Sequence, residues 1–142
     1  MAIAEATISS NVWDTFRGYL NHSSVTNHAN ILSAYAKSFT KDGSNKDFVV
    51  IYKPSISEVK RTFSLYEYPI SIDIEIVCSE EEQMKVISDA VRARIDANRS
   101  SARSDGLFDM LITADETTSE LRDKVRILHT TMTVEAVWRG AG

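Results

Sequence analysis

Covalent cross-linking has almost no material in this chain. Cys78 is the only cysteine, which excludes an intrachain disulfide framework, and no Cys/His cluster carries zinc spacing. Such usage fits folding in a reducing cytoplasm. Positive charge is also short: the formal net charge is -4, so general DNA or RNA binding has no electrostatic footprint outside a local patch. No apolar run is long enough to cross a bilayer. The first ten residues, MAIAEATISS, carry Glu5 and no basic residue, unlike a secretory leader, so the expectation is a soluble, unprocessed chain. Internal repeats are absent, and biased composition is confined to short segments.

What remains is ordinary globular material. The chain has 142 residues, 43% hydrophobic and 25% charged, enough for one core, and the expectation is a single domain over 1–142. Val12, Phe16, Tyr19 and Leu20 recur at helical spacing behind a Ser/Asn start, with Trp13 beside the stripe, and predict a first helix. Ile31, Leu32, Tyr35, Ala36 and Phe39 predict a second, ended by TKDGSNKD. DFVVIYKPSISEVKRTF is β-branched and aromatic on both sides of Lys53-Pro54-Ser55, which reads as strand, turn and strand. Pro69 has no amide hydrogen and is expected to interrupt the ladder.

Isoleucine then occupies every second position from Ile70 to Ile76, with Ser71, Asp73 and Glu75 between, the alternation of a strand with one buried face. Ser79 and Glu82 have the spacing of a capping box. Behind them Met84, Ile87, Val91 and Ile95 form the apolar stripe of a helix that should lie across a sheet. NRSSARSDG reads as a polar linker, LFDMLIT as a strand, ADETTSELRDK as an acidic loop and VRILHTTMTVEAVW as a long last strand. The fold class expected is α+β: a mainly antiparallel sheet with helices packed mostly on one face.

Four candidates for chemistry stand beside plainer readings. Asp73 and Glu75 point the same way from one strand and can hold a hard cation, but the sequence names no third ligand, and a solvated or subunit-facing sheet surface is the commoner meaning. Asp47, Glu58 and Lys60 loosely match the Asp…Glu-x-Lys signature of a nuclease superfamily in which carboxylates hold a metal and lysine positions water. A hairpin turning at Pro54 and Ser55 sets Asp47 opposite Thr62, about four residues or ~13 Å from the level of Glu58. Cys78 precedes a helix start that can lower a thiol pKa, though a half-buried structural cysteine is commoner; His22, His28 and His129 show no metal spacing and read as surface or packing residues. Arg92, Arg94, Arg99 and Arg103 form one basic cluster, without interleaved aromatics and at a helix carboxyl end that arginines complement anyway.

The order of elements itself carries a resemblance. An amino-terminal helix, strands crossing a proline break into ISIDIEIVCS, the helix EEEQMKVISDAVRARI and a final hairpin resemble the tail terminator and tail-completion proteins of tailed viruses. The resemblance covers most of the chain and rests on order and texture, without a diagnostic motif. It implies a structural subunit that needs no active site and no cofactor. Such a subunit forms a ring, commonly a hexamer, at the end of the tail tube, stops its growth and joins it to the head connector. Its implied partners are copies of itself, the tail tube and the neck or connector proteins, with DNA passing through the ring unread and no membrane involved. The implied location is the tail or neck of a virion assembled in the host cytoplasm. The segments expected outside the core, Asn98 to Asp105 and Asp115 to Asp123, supply the candidate interface, with Asp73 and Glu75: Arg99, Arg103, Asp115, Glu116, Glu120, Arg122 and Asp123. A metal-dependent nuclease and a small adaptor using Arg92 to Arg103 remain the alternatives.

Overall fold

The computed structural model describes residues 7–33, 47–56, 60–61, 65–122 and 125–141. Its elements in chain order are α1 (Ile8–Leu20), α2 (Ser23–Thr26), β1 (Asn30–Ser33), β2 (Phe48–Ile51), β3 (Ser55–Ile56), β4 (Lys60–Arg61), β5 (Leu65–Cys78), α3 (Glu81–Ala97), α4 (Arg99–Ser104), β6 (Leu107–Arg122) and β7 (Val125–Ala141). The strands form one sheet in the order β1-β2-β5-β7-β6, with β3 and β4 also paired to β5. Among the described residues all pairings are antiparallel except β1 with β2. This is the expected α+β architecture.

The isoleucine alternation of β5 organises the core. Ile70, Ile72, Ile74 and Ile76 are at most 3% exposed and face the helices, whereas Ser71, Asp73 and Glu75 stay half-buried on the opposite face. From β7, Leu128, Met132, Val134, Ala136 and Trp138 continue the helical side of the sheet. Met84, Ile87, Val91 and Ile95 of α3 are buried against it, as their spacing requires, while Val86 stays exposed. From α1, Val12, Phe16, Tyr19 and Leu20 join the same core, and Trp13 donates its indole N–H to the Ile51 carbonyl at 2.9 Å. The other face of the sheet buries a smaller cluster of Phe48, Val50, Tyr52, Val77 and Ile127.

Several local expectations are corrected. Ile31 belongs not to a second helix but to β1, paired in parallel with β2, because sheet pairing outweighs weak helical periodicity in a short run; Tyr35, Ala36 and Phe39 lie outside the described residues. The two arms around Pro54 do not form a hairpin. β2, β3 and β4 follow one another along the same side of β5, with Phe48 opposite Val77, Ser55 opposite Ser71 and Lys60 opposite Glu67. β5 also runs through Pro69, which stands where this pairing passes from β3 to β4 and where a missing donor is least costly.

Helix α3 starts one residue later than the capping-box reading: Glu80 is at the N-cap without a side-chain cap bond, and Glu81 and Glu82 meet the positive end of the helix dipole instead. The expected polar linker Asn98 to Asp105 contains α4, anchored by the fully buried Ala102. Gly106 then turns the chain into β6 with φ +97°, and a Cβ there would meet the Trp138 indole nitrogen at 3.3 Å. Finally, the acidic segment expected as a loop continues β6 to Arg122. Its threonines suit a strand, and pairing with Thr130, Thr131 and Thr133 of β7 holds it extended against the turn preference of its acids.

Candidate functional site

The sheet ends on the β6 side in an open edge. Among the described residues β6 pairs only with β7, and every residue from Thr113 to Leu121 is exposed, Leu121 at 75%. Register shifts occur between Phe108 and Leu111 and between Ile112 and Ala114, beside Asp109 with φ 56°. From Ala114 onward the ladder is regular. A regular, exposed edge presents a row of backbone donors and acceptors to another chain.

Side chains along this edge divide by face. Asp115 points to the helical side, where Arg92 of α3 binds it at 2.5 Å. Thr117 shares a hydrogen bond of 2.8 Å with Thr130, whose hydroxyl lies 3.0 Å from the Met84 sulfur. Between the start of α3 and β6 lies a groove of about 330 Å³, lined by Met84, Lys85, Thr117, Ser119, Arg126 and Leu128. Glu116 and Glu120 are opposite or near β7 residues of the other face, with Glu116 paired to Thr131 and Glu120 to Ile127.

On that face a polar chain crosses the sheet. The Tyr52 hydroxyl donates to Glu75 Oε1 at 2.6 Å, Glu75 Oε2 lies 3.4 Å from His129 Nδ1, and His129 Nε2 lies 2.9 Å from Glu120 Oε1. Beside it Thr133 donates to Asp73 Oδ1 at 2.8 Å. Burial, then the bond to Glu75, then the charges of Glu75 and Asp73 push the Tyr52 phenol well above its ordinary pKa. It therefore stays protonated and donates, which makes it a clamp and not a base. Asp73 and Glu75 are thus neither a freely solvated surface nor, among the described residues, part of a group of three or more possible metal ligands.

Other sequence candidates are dispersed. Arg99 pairs with Asp96 at 2.9 Å, and Arg94 donates to the Tyr19 carbonyl at 2.9 Å, so the basic cluster is spread over separate contacts. Arg99 and Arg103 line a groove of about 230 Å³ with Leu107 and Met110. Arg122 is placed by its backbone pairing with Val125, whereas Asp123 lies outside the described residues. Cys78 is fully buried, its thiol 3.3 Å from the Glu80 carbonyl. Asp47 precedes Phe48, opposite Val77, whereas Lys60 is opposite Glu67, so the two are separated along β5 by about 33 Å or more; Glu58 lies outside the described residues. The geometry that sequence reasoning missed is the bridge at His129. Its signal was the strict alternation of the last strand, but choosing Glu75 and Glu120 as its neighbours requires the register. The chain has no match among protein-family models and none among curated proteins.

Proposed function

We propose that this chain is a structural assembly subunit, and in full a tail terminator: copies form a ring on the last ring of a tail tube, stop its growth and offer a surface to the head connector. The single observation that supports this reading is the β6 edge, exposed from Thr113 to Leu121 and regular from Ala114 onward. Strand addition at such an edge joins subunits by main-chain hydrogen bonds without needing a reactive site. The polar chain from Tyr52 to Glu120 ties that edge to the inner strands on the face opposite the helices. An edge held this way keeps its shape when a partner pulls on it.

Each copy carries a net charge of -4, so association works against mutual repulsion and is favoured by added salt or by the tube end. The test is deletion of the gene during virus growth, with tails measured by electron microscopy. Overlong or headless tails are the expected result. Tails of normal length that still join heads reject the terminator role.

A further inference from the structure

We infer that a second copy of this chain docks on the β6 edge, antiparallel to it, about a two-fold axis through Thr117. This rests on β6 being an assembly edge but not on the tail role. The regular part of β6, from Ala114 to Arg122, is long enough to pair over seven residues, Ala114 to Glu120. A two-fold contact brings the same stretch together twice, so its acids decide which registers are allowed, because like charges directly opposite are destabilising.

With the axis through Thr117, Glu116 faces Thr118 of the second copy, Asp115 faces its Ser119 and Ala114 faces its Glu120. No two carboxylates meet. Moving the axis to Asp115, Glu116 or Glu120 sets that acid against its own copy. An axis through Thr118 sets Glu116 against Glu120. Among axes passing through a residue from Asp115 to Glu120, only those through Thr117 and Ser119 set no two described acids against each other, and of these Thr117 alone brings Asp115 opposite Ser119 of the other copy's groove. An axis through a residue also keeps both helical layers on the same side of the joined sheet, since directly opposite residues share a face.

The helical side adds an attraction. Asp115 of the second copy comes opposite Ser119, at the groove that Lys85 and Arg126 line. Lys85 and Arg126 reach Glu82 and Glu81 through exposed pairs, at 3.1 and 3.2 Å, which rearrange at little cost when another carboxylate arrives. Thr117 of each copy meets its equivalent over this side of the sheet. The contact uses the same edge that a tube end would need, so the dimer and the assembled ring compete for β6.

The test is site-specific cross-linking of the purified full chain. Thr117→Cys places two thiols on the axis, within the Cα separation of about 4.4 to 6.8 Å that a disulfide spans, and the buried Cys78 offers no competing thiol. Mild oxidation should convert T117C to a covalent dimer at least ten times faster than Thr118→Cys, whose thiol faces Glu116. Sedimentation of disulfide-free variants supplies the second readout. Thr118→Glu sets two glutamate pairs face to face and should weaken the dimer at least tenfold, and adding Glu116→Lys should restore it. Equal cross-linking at both positions, no cross-linking at Thr117→Cys, or no rescue by the charge exchange overturns the inference. A dimer without a tail phenotype on gene deletion leaves this inference standing and removes the terminator role; a tail phenotype without the Thr117 cross-link does the reverse.

Discussion

At the scale of the residue, two phenols make the fold sensitive to alkaline pH. Tyr19 is 7% exposed and donates to Asp105 Oδ2 at 3.0 Å; Tyr52 is 6% exposed and donates to Glu75. Burial first, and the acceptor carboxylates after it, raise both pKa values well above the ordinary one. In the unfolded chain a phenol ionises near pH 10. Above that pH the unfolded state binds fewer protons than the folded one, so the stability these groups contribute is complete below pH 10 and lost as pH rises toward the folded pKa values. Each phenol should contribute a slope of up to about 1.4 kcal/mol per pH unit there. Urea unfolding from pH 9 to 11.5 should show this decline, and Tyr19→Phe with Tyr52→Phe should flatten it. An unchanged slope in the double variant contradicts the clamps.

At the scale of the element, β5 is the member on which the others depend. It pairs with β2, β3 and β4 on one side and β7 on the other, and its isoleucines carry α3. Ile74 is fully buried between them. Ile74→Asp sets a charge there without a partner, a cost of several kcal/mol against a total stability of about 5 to 15. The variant should lack a cooperative thermal transition by circular dichroism, whereas Ile74→Val should lower stability by only about 0.5 to 1.5 kcal/mol. An Ile74→Asp variant that keeps its thermal midpoint is incompatible with this packing. The stripes of α1, β5 and α3 were legible in the sequence because each spans enough residues to reveal its period. β1, α4 and the outer half of β6 were not, because their conformations come from neighbours: parallel pairing to β2, the burial of Ala102, and the ladder with β7.

At the scale of the whole molecule, the separation of Asp47 from Lys60 bears on the nuclease reading. Ligands and activating groups of one metal act within a few ångströms of each other, whereas these positions are held at opposite ends of β5 by pairing on the same side. Plasmid DNA incubated with the chain and magnesium should stay uncut. Cleavage lost in Asp47→Asn or Lys60→Ala would restore the nuclease reading. Cleavage lost instead in Asp73→Asn with Glu75→Gln would assign the reaction to the face of the sheet opposite the helices.

The sequence by itself determined the fold class, the buried face of β5 and the packing face of α3, because period and burial are local records of one environment per residue. It also carried the acids of the candidate interface as a composition, without saying what they meet. Tertiary structure decided that Asp115, Glu116 and Glu120 stand on a strand, that β6 is the edge, and that Glu75 and Glu120 converge on His129. Those facts depend on strand order and register, which join residues far apart in the chain, and a one-residue slip would turn every side chain of β6 to the other face.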